Sequence, residues 1–165
     1  MGEWNIEKGR YEHINYDNIN WSIKNSEDLL IRWGNHSAFA AFEPVNEPWW
    51  NSDMDVIKDF YRRVRPLVQK YAPQAWFVFH NAFNYWNMWN DLFPDWDMDK
   101  VAMDHHYYQA WNQGMDTTQQ FCDDYEKNAA TADTIKFDVW WGEWSLATDV
   151  CAMWLGGFND ANNRP

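Results

Sequence analysis

Trp76-Phe-Val-Phe-His80 is an unbroken run of aromatic and β-branched residues that closes on a histidine. Such a run suits a short strand buried on both faces, the kind found in parallel sheets. Upstream, Val56, Ile57, Phe60, Val64, Leu67, Val68 and Tyr71 recur at helical spacing and form one apolar stripe. Ser52-Asp-Met-Asp55 reads as the start of that helix, with a cap and an acid three residues later, and Pro73 ends it.

The same alternation extends in both directions. Residues 18–33 carry Ile19, Ile23, Leu29, Leu30 and Trp33 at helical spacing, and residues 39–46 read as a short strand. Val101-Ala-Met-Asp-His-His106 and Phe137-Asp-Val-Trp-Trp-Gly-Glu143 are two further strands. A short helix is expected within the polar-aromatic stretch 84–93, and a longer one over 117–132. Thr148 or Asp149 caps a last helix through Leu155, which Gly156-Gly157 stops. Strands alternating with helices imply parallel strands joined by crossover helices, with a unit of roughly 30 residues. The chain is therefore α/β, either an open doubly wound sheet or part of an eight-stranded (β/α) barrel. No Gly-rich phosphate loop follows any strand, which weakens the nucleotide-binding open sheet.

Composition narrows the partners. The chain has 165 residues and a formal net charge of −12, which disfavours a nucleic-acid backbone as ligand. No apolar run is long enough for a membrane span, and no signal peptide is visible at the start. Two sequons, Asn20-Trp-Ser22 and Asn35-His-Ser37, hint at secretion. The 14 Trp residues exceed what a core requires. Trp49, Trp50, Trp86, Trp89, Trp96, Trp111, Trp141 and Trp144 sit in polar surroundings, as platforms for sugar C–H faces do. Cys122 and Cys151 could pair with one another, stay free, or pair outside this sequence.

Polar groups gather where the strands end. They are Asn46-Glu47, His80-Asn81, His105-His106-Tyr107-Tyr108 and Glu143. In a (β/α) barrel that rim carries the active site. Two carboxylates facing each other there, Glu47 and Glu143, are what glycosidic cleavage uses. Asn-Glu-Pro alone is a weak signal. Together with Gly142-Glu143-Trp144-Ser145, three β/α units on, and His106-x-Tyr108 between, it is strong.

On Val45-Asn-Glu-Pro48, Asp104-His-His-Tyr-Tyr-Gln109 and the long run 142–160, the chain resembles glycoside hydrolase family 5, a family of retaining (β/α)8 barrels. Within it the likeness is to the exo-β-1,3-glucanases of fungi and oomycetes, and it runs from about Asn18 to Asn162. The resemblance implies a partial TIM barrel: strands four to seven with their helices, residues 1–165 forming an incomplete catalytic domain. It implies Glu47 as acid/base and Glu143 as nucleophile. Asn46 would hold the sugar 2-hydroxyl, Tyr108 would bond the nucleophile, His106 belongs to the strand-six motif, and Trp111 would line the sugar entrance. No metal or cofactor is implied. The substrate implied is a β-glucan polysaccharide or oligosaccharide, and the full-length enzyme would be extracellular or in the cell wall.

Other readings stay open. They are a β-1,4- or β-1,6-glucanase, a β-glucosidase, or a non-catalytic carbohydrate-binding protein. His105 is expected as a packed residue, and His80 and Asn81 divide evenly between structure and function. Glu43 is expected as an interior acid satisfied from another strand. The resemblance also implies that Cys122 and Cys151 pair with cysteines further downstream. A four-stranded arc leaves two open edges and an uncovered concave face. The chain alone is therefore expected to be unstable and inactive, with self-association into a pseudo-barrel as its escape.

Overall fold

A computed structural model describes residues 2–5, 7, 10–111 and 114–147. The expected last helix over 148–155, Cys151, and most of the run 142–160 lie outside the described residues. The elements are β1 (Gly2–Asn5), β2 (Arg10–Ile14), α1 (Tyr16–Trp33), β3 (Ala41–Phe42), α2 (Met54–Tyr71), β4 (Trp76–His80), β5 (Val101–Tyr107), α3 (Thr118–Ala132) and β6 (Asp138–Trp144). Short 3-10 turns occupy Trp86–Trp89, Asp95–Asp97 and Gln109–Trp111.

β3, β4, β5 and β6 form one sheet in that order, every pair parallel. Sequential parallel strands, joined by α2, by two short 3-10 turns and by α3, make an arc of a (β/α) barrel, as expected. The antiparallel hairpin β1–β2 precedes this sheet and lies outside the alternation of strands and helices expected from the sequence.

Each helix has a local reason to start. Asn15 caps α1 by accepting from Asn18 N–H at 3.0 Å. Asp53, rather than Ser52, caps α2, accepting from the N–H groups of Asp55 and Val56. Thr117 and Gln120 close a capping box on α3. The core lies between α2 and the outer face of the sheet. Ile57, Phe60, Tyr61, Val64 and Val68 are buried there with Phe77, Phe79, Val101 and Met103. Removing each such side chain from water contributes about 1.5–3 kcal/mol.

The strand expected over 39–46 is much shorter, because only Ala41 and Phe42 enter the ladder. Pro44 has no N–H to give, so pairing stops at Glu43. The released chain carries Glu43 to Pro48 along the rim. Among the described residues, no helix is long and apolar enough to cross a membrane.

β6 does not run in simple register with β5. Asp104 faces Trp140, but His106 faces Glu143, so two residues of β5 are matched by three of β6. The extra residue is a bulge, which re-aims the side chain that follows it. A Cβ on Gly142 would lie 2.6 Å from Asp104 Oδ2, so only glycine fits beside that carboxylate.

Candidate active site

The bulge and the end of β3 bring two distant acids to one imidazole. His106 Nδ1 lies 2.6 Å from Glu47 Oε1 and 3.5 Å from Glu143 Oε2. The other ring nitrogen, Nε2, lies 2.9 Å from Asp104 Oδ2. Asp104 Oδ1 accepts the Gly142 N–H at 2.8 Å. The imidazole is buried, whereas Glu47 and Glu143 are partly open to solvent. Both nitrogens of His106 face carboxylates, so a proton sits on each N···O line. Burial disfavours the charged ring, but the bond to Glu47 and the charges of Asp104 and Glu143 outweigh it, and the pKa is raised.

Tyr108 donates its hydroxyl to Glu143 Oε2 at 2.6 Å. That bond, more than desolvation, pushes the phenol pKa up to about 12. Tyr108 therefore stays a donor, and a donor of this kind favours the ionised carboxylate.

The β4 terminus is built to present an aromatic ring. Ala82 and Phe83 both adopt left-handed backbone, at φ 52° and 53°. Such conformations cost about 1–2 kcal/mol per residue. Two side chains hold them: His80 Nδ1 accepts the Ala82 N–H at 2.9 Å, and Asn81 Oδ1 accepts the Phe83 N–H at 3.1 Å. Asn81 also bonds His105 Nδ1 through its amide nitrogen at 2.9 Å. His80 and Asn81, left even by the sequence, thus shape the turn. His105 is a packed residue, as expected, against Trp86, Tyr107 and Trp141. Burial, then the neighbouring His106, drives the pKa of His80 down to about 3 and of His105 to about 4.

Glu47, Trp49, Trp50, Phe83, His106, Tyr107, Tyr108, Trp111 and Glu143 line one open cleft of about 600 Å³. Glu47 itself has a left-handed backbone, φ 43°, immediately before Pro48. Asn46 is exposed beside it, outside the residues that line the cleft. Trp49, Trp50 and Trp111 are well exposed, as platforms must be. Three of the eight indoles assigned to polar surroundings are packed instead. Trp86 and Trp89 are buried, with Trp89 Nε1 donating to Asn81 O at 3.0 Å, and Trp141 packs against Tyr125 and His105.

Glu47, His80 and His106 come close enough to consider a cation, with one potential ligand atom from each inside 4.8 Å of the others. The tautomer argues against it. His80 Nδ1 is occupied as an acceptor, so Nε2 carries the ring hydrogen and has no lone pair to offer. His106 Nδ1 is taken by Glu47. The set does not fit a metal.

The arrangement is two carboxylates and a tyrosine around a shared imidazole, at the C-terminal ends of parallel strands, beside exposed indoles. A curated relative from Wickerhamomyces anomalus, "Glucan 1,3-beta-glucosidase 2", is 28% identical over 155 residues, covering 89% of this chain and 36% of that protein. The "Glucan 1,3-beta-glucosidase" of Lachancea kluyveri is 30% identical over 160 residues, covering 91% of this chain and 36% of its own length. The chain resembles one part of the glucan 1,3-beta-glucosidases. It spans about a third of the length of these relatives. No protein-family model matches it. The solved structure of AoRut superimposes with a TM-score of 0.66 at 23% identity, covering 84% of this chain and 42% of that one, which supports the fold.

Two contributors to the site are not expected from the sequence. Phe83 owes its position to a left-handed turn that no motif advertises. Asp104 lies within the Asp104–Gln109 motif, which implies no role for it. A carboxylate in the middle of a buried strand, two residues before His106, was the available signal.

Proposed function

We propose that this chain is the strand-four-to-seven portion, residues 1–165, of a retaining β-1,3-glucan hydrolase of the glucan 1,3-β-glucosidase type. One observation carries the reading: Glu47 and Glu143 both reach the same nitrogen of His106. Their nearest oxygens can therefore be no farther apart than those two lengths laid end to end, roughly 6 Å. Inverting pairs stand about 6.5–9.5 Å apart to admit a water, and retaining pairs about 5–5.5 Å. The geometry supports retention.

Glu47 is the acid/base. The proton it shares with His106, on the bond next to the cleft, passes through its carboxyl to the leaving glycosidic oxygen. Glu143 is the nucleophile. Tyr108 keeps its oxygen ionised and aimed, so it attacks the anomeric carbon as the C–O bond breaks. Water activated by Glu47 then cleaves the glycosyl ester and restores both groups. Trp49, Trp50, Phe83 and Trp111 hold the sugar by stacking on its C–H faces. Asn46 serves the 2-hydroxyl if its loop turns inward on binding. The complete enzyme is extracellular or in the cell wall.

Turnover belongs to the complete barrel. β3 and β6 are open edges of the four-stranded sheet among the described residues, and the arc alone is inactive. A β-1,4- or β-1,6-glucanase, or a β-glucosidase, would share this pair, because the loops set linkage. Hydrolysis of laminarin against cellulose and pustulan separates them, using the arc grafted into the barrel of the Lachancea kluyveri relative. A non-catalytic carbohydrate-binding protein is the reading from another class. Laminari-oligosaccharide binding by such a graft, with no turnover and no response to Glu143→Ala, would favour it.

A further inference from the structure

Asp104 has no place in the mechanism above, yet it is a carboxylate in the middle of a buried strand. It lies on β5 two residues before His106, so both side chains leave the same face of the strand. Asp104 is 4% exposed, and both of its oxygens are engaged. Oδ1 accepts the Gly142 N–H at 2.8 Å, and Oδ2 lies 2.9 Å from His106 Nε2.

The two contacts act differently. The Gly142 N–H is a backbone donor and cannot be turned round, so Oδ1 must be an acceptor. At Oδ2 one hydrogen lies between oxygen and nitrogen. An imidazole, with an ordinary pKa of about 6.5, holds it against a carboxylate at about 3.9. Nε2 therefore carries its hydrogen and points it at Asp104. The ring is buried, and His80 packs edge-on against it with centroids 4.4 Å apart, which keeps it in this orientation. The nitrogen left for exchange is Nδ1, 2.6 Å from Glu47 Oε1.

We infer that Asp104 is a positioning residue for acid catalysis: by holding a hydrogen on His106 Nε2, it makes the hydrogen on the Nδ1–Glu47 line the one that can be given away.

The consequence is one of proton count. With Nε2–H fixed, His106 and Glu47 hold two hydrogens between them. One passes through the Glu47 carboxyl to the glycosidic oxygen, as the bond from that oxygen to the anomeric carbon breaks and a Glu143 oxygen takes its place. A neutral imidazole and the Glu47 carboxylate remain, and the water that later cleaves the glycosyl ester returns the proton. Without an acceptor at Nε2, the single ring hydrogen would sit on Nδ1, and giving it up would leave an imidazolate. The inference deepens the proposed glycosidase reading and rests on it for the acid role of Glu47.

Asp104→Asn makes this change with almost no change of shape. The Gly142 N–H takes the amide oxygen, so the amide NH2 faces Nε2 and donates to it. His106 then keeps its one hydrogen on Nδ1, against Glu47.

The test uses the arc grafted into the Lachancea kluyveri relative. Its substrates are laminaribiose and 2,4-dinitrophenyl β-glucoside, whose phenolate leaves without a proton. In Asp104→Asn, kcat/KM on laminaribiose relative to that on the aryl glucoside should fall about 100-fold, the lower end of what a general acid contributes. A merely structural role would lower both rates alike, so an unchanged ratio overturns the inference. 15N-labelled histidine NMR on the unsubstituted graft reads the tautomer itself. His106 Nε2, assigned by its loss in His106→Gln, should carry a bonded hydrogen. A bare Nε2 overturns the inference whether or not Asp104→Asn folds. A bonded hydrogen there in a graft without turnover supports the Asp104 contact and counts against the glycosidase reading.

Discussion

Tyr108 donates its hydroxyl to Glu143 Oε2 at 2.6 Å, from the position just after β5 to the residue that follows the bulge in β6. Of the neighbours of Glu143, it is the one whose hydrogen is committed to that oxygen. A hydrogen bond to a charged group contributes about 1.5–3 kcal/mol. Tyr108→Phe, in a complete barrel, is expected to lower kcat/KM on laminarin by roughly 10- to 100-fold with the fold intact. A variant as active as its parent would remove Tyr108 from the site.

Gly142 is fixed by contact rather than by its backbone angle. Its N–H holds Asp104, and a methyl group there would collide with the same carboxylate. Gly142→Ala should displace Asp104, break its bond to His106, and destabilise the chain by about 1–3 kcal/mol, as overpacking does. Denaturant unfolding measures the loss, and the His106 nitrogen shifts report the broken bond. An unperturbed spectrum would contradict the role of Gly142 in holding Asp104.

Stability should depend on pH in a defined way. His80 and His105 titrate near 6.5 when unfolded, but near 3 and 4 when folded. The folded chain binds fewer protons, so their contribution is full above pH 6.5 and falls as pH drops toward 4 and 3. The slope is at most about 1.4 kcal/mol per pH unit for each histidine. Glu43 runs the other way. Its folded pKa of about 7 lies above the usual 4.5, so its contribution is full below 4.5 and is lost as pH rises to 7. Two histidines against one acid leave a net loss on acidification between 6.5 and 4.5. Urea melts of His105→Gln, with the arc grafted into the Lachancea kluyveri relative, should show that slope reduced by about one proton; an unchanged slope contradicts the assignment.

The open sheet should show itself in solution. Among the described residues β3 and β6 each offer an unpaired edge, and unpaired edges recruit other strands. The isolated chain is expected to associate with a concentration-dependent sedimentation coefficient and to release no glucose from laminarin. A monodisperse monomer that melts cooperatively would contradict the partial-barrel reasoning.

The strands around Trp76–His80 were legible because parallel strands buried on both faces read as continuous apolar runs, and α2 because its stripe repeats at helical spacing. β3 was overdrawn, since the apolar pattern over 39–46 hid how early Pro44 stops the ladder. The pair Glu47 and Glu143 was legible from strand ends and motif. What brings them together was not: a bulge is one extra residue, and a register shift leaves no mark in a single sequence. The buried indoles misled for a related reason. Trp86 and Trp89 lie among polar neighbours in sequence, but a 3-10 turn folds both inward. Glu43 was expected as an interior acid satisfied from another strand; its Oε1 is shielded from solvent but without a hydrogen-bond partner.

The central claim is that Glu47 and Glu143 form a retaining pair. The most direct measurement is the anomeric configuration of the first glucose released from laminarin, followed by proton NMR, with the arc grafted into the Lachancea kluyveri barrel and Glu143→Ala beside it. The account predicts β-glucose before mutarotation, and none from Glu143→Ala. Initial α-glucose, or undiminished release by Glu143→Ala, would contradict it.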